Sequence, residues 1–346
     1  MNKIKTAIIG YGLSSKVFHL PLLLASERFE ICAVLTTQRE TLAKEHPGVR
    51  AVSTIDEIVF DSKIELVINT APNEFHYPYC KLALENNKHV VVEKPFVNTV
   101  TEGEELMELA QKKDKLLSVF HNRRFDCDFL TLKKLIKNNK LGNIKYFESH
   151  FDRFRPDIKN NAWREEKKFG SGVLFDLGSH LIDQALQLFG WPDSIFADIE
   201  TQKEEGVIDD YFHIILKYRK LRVVLHSTSF GGDLPRFYLA GQKGTFIKFG
   251  LDPQEGQLRA GQNPHSPNFG MDENQVGELT VYSGEATESI IRCEKGSYLK
   301  FYLNIYECIR NKIELPLVSA ISALDVIKII EKAKESAKQG KSISLR

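Results

Sequence analysis

The sequence lacks an excess of charge of either sign, since 47 lysine and arginine residues stand against 46 aspartate and glutamate residues. Domains that bind nucleic acid or an acidic membrane surface usually carry a basic patch and a positive net charge. The balance therefore argues against both kinds of partner, and we expect a small-molecule ligand instead.

Cysteine is scarce and unpaired in the sequence. The five cysteines are Cys32, Cys80, Cys127, Cys293 and Cys308. Their odd number and the lack of any C-x-x-C pair exclude a disulfide framework and a cysteine-based zinc site. We expect reduced thiols, a cytoplasmic location and no bound metal.

Long apolar runs are also missing. No stretch approaches the ~18 residues needed to cross a bilayer, and the first ten residues, MNKIKTAIIG, are not apolar enough for a signal peptide. We therefore expect a soluble protein that does not enter a membrane. At 346 residues the chain exceeds the size at which a single core stops growing, so two domains are expected.

A glycine turn follows the first apolar run, Lys5 to Ile9. Gly10 allows a tight turn, Gly12 lets a pyrophosphate approach the backbone, and the following helix offers free amides to the anion. Ser15 stands where the fingerprint G-x-G-x-x-G has its third glycine. A glycine turn without a ligand is the alternative, but strand, turn and helix come in the order that a dinucleotide site requires.

The second strand, Phe29 to Leu35, is followed by Thr36, Thr37 and Arg39, with no acidic residue. An acid at this place binds the ribose hydroxyls of NAD, whereas hydroxyls and a cation suit the 2′-phosphate of NADP. The pattern favours NADP, although Arg39 could instead begin a solvated helix.

Strands and helices continue to alternate up to residue 121, which predicts a parallel, doubly wound sheet in a Rossmann domain over residues 1–121. Thr101 is predicted to cap the helix that ends near Lys113. One strand, His89 to Glu93, ends at Lys94 and a rigid proline. Ligands bind at the carboxyl ends of such strands, so Lys94 is either a reactive group or an ordinary surface lysine.

Residues 122–346 have a different pattern, with several strands at hairpin spacing and few helices between them. This indicates an α+β domain with a largely antiparallel open sheet. Helices cover one face of such a sheet, and the other face commonly forms an oligomer interface, so we expect a homodimer or homotetramer. The Gly-, Pro- and Asn-rich stretch 252–274 is predicted to be a loop or an excursion from the domain and not a linker.

A second glycine-bounded turn, Gly170 to Gly172, leads into a predicted helix that carries Asp176 and His180. Residues four apart lie on the same face of an α-helix, so a carboxylate and an imidazole would be neighbours there. Such a pair is a candidate for acid–base catalysis, and a half-buried, hydrogen-bonded histidine is the alternative.

The glycine turn, the Glu93-Lys94-Pro95 stretch and the Asp176-x-x-x-His180 helix together resemble the Gfo/Idh/MocA family of NAD(P)-dependent sugar and polyol dehydrogenases. The resemblance extends over essentially the whole chain. The runs Phe120 to Asp126 and Glu148 to Pro156 are especially similar to bacterial NADP-dependent scyllo-inositol dehydrogenases.

The resemblance implies catalytic roles for Lys94, Asp176 and His180, and substrate contacts from Arg153, Asp176 and His180. The resemblance also implies cofactor contacts, and these add to the contacts expected from the first glycine turn and from the residues after the second strand. The full set of predicted cofactor residues is Gly10, Gly12, Leu13, Ser14, Ser15, Thr36, Thr37, Arg39, Thr70, Pro72, Asn73, His76, Glu93, Lys94, Asn122, Trp163 and Arg164.

The chemistry accounts for these residue types. Oxidation of a secondary alcohol removes a hydroxyl proton, which histidine can accept, and lysine can stabilise the developing alkoxide. We therefore predict an NADP-dependent oxidoreductase, with NAD possible, that interconverts scyllo-inositol and its inosose. Another sugar dehydrogenase or reductase of the family is the first alternative, and a non-catalytic sensor of dinucleotide and sugar is the second.

Overall fold

The computed structural model describes residues 2–158, 168–232, 234–311 and 315–346. The chain forms two compact units. The first consists of residues 1–122, 254–269 and 297–327, and the second of residues 123–253, 270–296 and 328–346. Segments from the last third of the chain therefore return to the first unit. The domain boundary between residues 121 and 122 stays a prediction.

The first unit is built around a six-stranded parallel sheet in the order β3-β2-β1-β4-β5-β6. Its elements are β1 (Ile4–Ile9), a π-helical turn (Ser15–His19), α1 (Leu20–Ser26), β2 (Phe29–Leu35), α2 (Arg39–Glu45), β3 (Arg50–Val52), α3 (Asp56–Val59), β4 (Leu66–Asn69), α4 (His76–Glu85), β5 (His89–Val92), α5 (Val100–Lys112), β6 (Leu117–Val119), α8 (Gln254–Arg259) and α9 (Leu299–Asn311). Strands β1, β4 and β5 are almost wholly apolar and buried, as expected where helices cover both faces of a parallel sheet. The predicted doubly wound sheet is confirmed.

Strand order reverses between β1 and β4, which are neighbours although β2 and β3 lie between them in sequence. Ligands of this architecture bind at the carboxyl edge of the sheet, at the point where the strand order reverses. The glycine turn follows β1 at this edge.

The second unit contains a nine-stranded sheet in the order β14-β13-β12-β11-β7-β10-β9-β8-β15. Its elements are α6 (Cys127–Lys137), β7 (Ile144–His150), a π-helical turn (Leu174–Gly178), α7 (Ser179–Phe189), β8 (Ser194–Glu200), β9 (Tyr211–Lys217), β10 (Arg222–Thr228), β11 (Phe237–Gly241), β12 (Gly244–Lys248), β13 (Val276–Ser283), β14 (Glu285–Arg292) and β15 (Ile343–Ser344), and α10 (Ala320–Gln339) has residues in both units. Neighbouring strands are antiparallel except β7 and β10, which are parallel. The expected largely antiparallel sheet is confirmed.

One local prediction was wrong, and two local elements were not predicted. The cap of α5 is Thr99, not Thr101, because the hydroxyl of Thr99 accepts from the amide of Glu102 and the Glu102 carboxylate accepts from the amide of Thr99. The stretch 252–274 is not all loop, since it contains α8. The exposed hairpin of β13 and β14 was missed because its outer strand is exposed on both faces and has no clear alternation.

No helix among the described residues is long and apolar enough to cross a membrane.

Candidate active site

The glycine turn closes on the loop after β4. Gly10 has φ +96°, and a Cβ atom there would lie 2.9 Å from Thr70 Oγ1 and 3.2 Å from the Thr70 carbonyl oxygen. Gly12 differs, because a Cβ on it would meet no atom of the described residues within 4 Å. The first glycine is needed for the fold of the turn, and the second leaves open space beside the backbone.

Ser15 takes the place of the third fingerprint glycine and is completely buried. Its hydroxyl donates to the carbonyl of Gly10 at 2.7 Å and lies 2.6 Å from Thr70 Oγ1. A side chain that joins the turn to the neighbouring loop therefore replaces the close helix contact that glycine would provide.

The two glycines give a matched pair of variants. Gly10→Ala should lower the free energy of unfolding by about 1 to 3 kcal/mol, because alanine is strained at this φ and contacts Thr70. Gly12→Ala should change stability by much less and should raise the KM for the dinucleotide. Urea denaturation and cofactor titration of both variants test this, and equal destabilisation by the two would contradict the assignment.

A half-buried carboxylate, that of Glu93, follows β5 and joins three elements of the first unit. Ser14 donates to Glu93 Oε1, His19 Nε2 lies 2.8 Å from the same oxygen, and the Lys94 amide donates to Oε2 at 3.0 Å. Tyr302 of α9 contacts the other ring nitrogen of His19. The loop after β5 is thereby tied to the glycine turn and its helix.

These contacts decide the charge of Glu93. Burial disfavours the carboxylate, but hydrogen bonds from His19 and Ser14 and the nearby Lys94 outweigh it and lower the pKa of Glu93 to about 2. Glu93 is therefore ionised at neutral pH, and its charge lies next to the backbone of Lys94.

The loops after β4 and β5 are joined by His76, the first residue of α4. Its buried ring lies with Nδ1 2.7 Å from the Pro95 carbonyl oxygen and Nε2 3.0 Å from that of Ala71. Burial lowers the pKa of His76, against the hydrogen bonds to these carbonyl oxygens, which raise it. Pro72 and Asn73 begin the 3₁₀ turn that leads into α4.

The residues predicted to select the cofactor follow β2. Thr36 Oγ1 accepts from the Gln38 amide at 2.9 Å, and the exposed Arg39 begins α2 with its guanidinium on Ser53 Oγ. Gly10 N donates to Leu35 O at 3.0 Å, so this loop lies beside the glycine turn. The guanidinium of Arg39 is therefore exposed at the start of α2.

In the second unit, the turn before the Asp176 helix is held by Asp209. A Cβ on Gly172, whose φ is +95°, would lie 2.0 Å from Asp209 Oδ1, so glycine is required there. Asp209 Oδ2 accepts from the Leu174 amide at 2.7 Å, and the Asp209 carbonyl accepts from the Val173 amide. The carboxylate thus occupies the start of the helix, where amides lack partners.

Asp176 lies within the π-helical turn, and the buried His180 lies in α7 directly after it. The shared face of Asp176 and His180 was expected for a plain α-helix, in which four residues complete about one turn. A π turn contains more residues per turn, so the shared face stays a prediction.

The guanidinium of Arg153, the predicted substrate contact, lies 4.8 Å from the ring centre of buried Phe151.

The charge of Asp209 makes the stability of this unit depend on pH. Burial raises the pKa of Asp209 from 3.8 to about 6, against the hydrogen bond from Leu174. Because the folded value is the higher one, the contribution to stability is fully present below pH 3.8 and is lost as the pH rises through 6.

We expect the stability advantage of the wild type over Asp209→Asn to fall by on the order of 2 kcal/mol between pH 4 and 7. Asparagine keeps an oxygen for the Leu174 amide but does not titrate. Urea denaturation at several pH values measures the difference, and exposed Asp198→Asn is the control. A difference that does not change with pH would contradict this account.

The structure brings together, within the first unit, the predicted cofactor residues Gly10, Ser14, Ser15, Thr70 and Glu93. Lys94 belongs to the same unit. The buried Asn122 lies shortly after β6 and is the last residue of the unit's first segment. Asp176, His180 and Arg153 belong to the second unit. Trp163 and Arg164 lie outside the described residues.

Two residues with clear positioning roles were missed by sequence analysis. His19 holds Glu93, and Asp209 holds the turn before Asp176. His19 lies five residues after Ser14, but its contact with Glu93 is 74 residues away in the chain and has no local signal. Asp209 gives no local signal, because the strand connection that carries it lies far along the chain from the turn.

The residues around the glycine turn are compatible with a bound dinucleotide. Open space at Gly12, the start of a helix after it and the guanidinium of Arg39 provide what a pyrophosphate and a 2′-phosphate need. The helix after the glycine turn and the helix that carries Asp176 both begin with a π turn, a feature often found at functional sites.

Two family models match the chain, the oxidoreductase family NAD-binding Rossmann fold over residues 4–121 and the oxidoreductase family C-terminal alpha/beta domain over residues 133–345. The chain belongs to the Gfo/Idh/MocA oxidoreductase family. It is therefore an enzyme, an oxidoreductase with an NAD(P)-binding Rossmann domain, as the resemblance of its motifs predicted.

Relatives within the Gfo/Idh/MocA family extend this result. The chain is 42% identical to scyllo-inositol 2-dehydrogenase (NADP(+)) IolW of Bacillus subtilis, with 100% of this chain and 97% of the relative covered. It is 27% identical to D-glucoside 3-dehydrogenase of Escherichia coli, with 60% and 62% covered. The solved structure of the oxidoreductase yvaA from Bacillus subtilis has a TM-score of 0.97 and 41% identity, and covers 100% of this chain and 99% of that one.

Proposed function

We propose that the protein is an NADP-dependent dehydrogenase that oxidises one secondary hydroxyl of a cyclitol or sugar, with scyllo-inositol as the first candidate. The similarity to IolW over the full length of the chain carries this proposal. The weaker similarity to a glucoside dehydrogenase supports a sugar as the alternative substrate.

The chain's own residues would hold the cofactor at the carboxyl edge of the parallel sheet. The turn of Gly10 and Gly12 takes the pyrophosphate, and Thr36, Thr37 and Arg39 take the 2′-phosphate of the adenosine ribose. The cofactor held there would supply hydride transfer to or from the carbinol carbon.

Lys94, His180 and Asp176 have the roles that the reaction requires. In our proposal the ammonium of Lys94 donates to the oxygen of the reacting carbon and stabilises the negative charge that develops there. His180 takes the hydroxyl proton during oxidation and gives it back during reduction. Asp176 orients the imidazole or the substrate, and Arg153 binds another substrate hydroxyl.

Glu93 supports this arrangement from within the first unit. Its carboxylate accepts from the Lys94 amide, and its bonds to Ser14 and His19 hold that loop against the glycine turn.

A panel of substrates tests the proposal directly. Reduction of NADP is followed at 340 nm with scyllo-inositol, myo-inositol, glucose, xylose and galactose, and with NAD in place of NADP. We expect scyllo-inositol with NADP to give the highest kcat/KM. A sugar that is turned over faster would replace the substrate, and no turnover of any polyol or sugar would contradict the proposal and favour a sensor.

The assembly of the protein stays a prediction. An open sheet with one helix-covered face offers its other face to a symmetric partner, so we expect a homodimer or homotetramer. Light scattering at micromolar concentration measures the mass, and a mass of a single 39.5 kDa chain would contradict the prediction.

A further inference from the structure

Three histidines form a row across the sheet of the second unit. His226 of β10 is paired with His150 of β7 on one side and with His213 of β9 on the other. The ring centroids of His226 lie 5.4 Å from those of His150 and 5.7 Å from those of His213. Residues paired across neighbouring strands point to the same face, so the three rings share one side of the sheet.

A buried carboxylate completes this row. Asp152 follows β7 on the same face, and its side chain is only 3% exposed. Asp152 Oδ1 lies 2.8 Å from His226 Nδ1 and accepts from the Thr228 amide at 3.0 Å. The backbone bond holds the carboxylate in place whatever the state of the two imidazoles.

Two polar atoms of the group lack a hydrogen bond within the part of the chain that the structure describes. They are Asp152 Oδ2 and His150 Nδ1, which are buried and lie 3.4 Å apart. These two atoms face each other at ion-pair distance, and a cation bound by both would satisfy them. Asp152 Oδ2 and His150 Nδ1 would then be two of the ligand atoms of a metal ion.

The outer face of His150 is also arranged as metal sites require. His150 Nε2 lies 3.0 Å from Glu148 Oε2, and Tyr146 donates to the other oxygen of Glu148. A ligating histidine usually donates its second nitrogen to a carboxylate, which orients the ring and makes the free nitrogen a better donor. Here that leaves Nδ1 of His150 for the ion.

We propose that His150, Asp152 and His226 bind a divalent transition-metal ion, with Zn²⁺ as the best fit. One donor atom from each residue lies within 4.8 Å of the other two, and ligands of a tetrahedral zinc ion lie about 3.5 Å apart, so small side-chain movements suffice. Two imidazoles and one carboxylate favour zinc over Mg²⁺ or Ca²⁺, which prefer oxygen ligands.

The ion would have a structural role, because its ligands belong to β7, its continuation and β10. These two strands form the parallel pair within the otherwise antiparallel part of the sheet that the structure describes. Parallel pairing is slightly less stable per residue than antiparallel pairing. A metal cross-link between β7 and β10 would therefore stabilise the strand pair that is least stable per residue. Sequence analysis expected no metal, since the ligands lie far apart in the chain and no cysteine pair marks them.

Titration calorimetry of the chelator-treated full chain with Zn²⁺ alone tests the proposal. We expect one ion per chain with micromolar or tighter affinity and a rise in Tm. His226→Gln and Asp152→Asn should each weaken binding at least 100-fold, and Glu148→Gln about 10-fold or more, as loss of an orienting carboxylate does. Exposed His265→Gln, outside the row, is the control and should bind as the wild type does.

A second measurement covers variants that do not fold. Wild-type crystals soaked in Zn²⁺ should give an anomalous diffraction peak at about 2.0 to 2.2 Å from nitrogens of His150 and His226. The proposal would be overturned if the anomalous peak were absent or if the wild type bound Zn²⁺ no more tightly than His226→Gln does. It would also be overturned if His265→Gln lost as much Zn²⁺ affinity as the variants of the row. These readouts do not depend on which sugar the enzyme oxidises.

Discussion

Lys94→Met and His180→Ala should each lower kcat by about 10² to 10⁴, while NADP still binds, because each removes a group that acts on the reacting oxygen. Methionine keeps the length of the lysine side chain without its charge. Steady-state kinetics with the best substrate of the panel gives kcat, and quenching of protein fluorescence gives the Kd of NADP. Asp176→Asn should lower kcat by a smaller factor if Asp176 only orients its neighbours.

Matched controls separate chemistry from folding. Lys137→Met removes an exposed lysine at the end of α6, and His265→Ala removes an exposed histidine of the first unit. Both should keep normal kcat. Near-normal turnover in both Lys94→Met and His180→Ala would refute the mechanism and leave Lys94 as a lysine that happens to follow a strand.

Arg39→Ala should raise the KM for NADP by about 10- to 150-fold and change that for NAD little, since a charge-assisted bond to phosphate contributes about 1.5 to 3 kcal/mol. The expectation depends on the exposed guanidinium at the start of α2. The ratio of kcat/KM for the two cofactors is the measurement.

Two further variants make this prediction specific. Lys44→Ala removes a cation from the other end of α2 and should leave the ratio unchanged. Arg39→Lys should give an intermediate loss, because lysine keeps the charge without the paired donors. Equal losses for NADP and NAD in Arg39→Ala would show that the residue does not contact the 2′-phosphate.

Much of the fold could be predicted because its signals are local. Short apolar strands, helices of regular length and the turn of Gly10 and Gly12 determine a parallel sheet with a ligand crevice at its carboxyl edge. The strand Phe29–Leu35 has the same bounds in the sequence prediction and in the structure. The outer hairpin was missed because exposed strands such as Glu285–Arg292 alternate weakly.

The candidate site was predictable only where its residues follow a strand or a glycine turn. Thr70, Glu93 and Lys94 follow strands of the first sheet, so their place at its carboxyl edge is a consequence of strand order. The role of His19 depends instead on a contact with Glu93, which no pattern in the sequence reveals. The π turns at Ser15 and Leu174 were likewise not predicted, because they are set by packing and not by residue type.

The sequence by itself therefore determined the Rossmann domain, the family motifs and the residue types that a hydride transfer requires. Only the tertiary structure decided which distant residues meet. Asp209 contacts the turn at Gly172, and His150, Asp152 and His226 lie next to one another. The physical reason is that strand register, which is set by packing of a whole sheet, places side chains that are far apart in the chain within a few ångströms of each other.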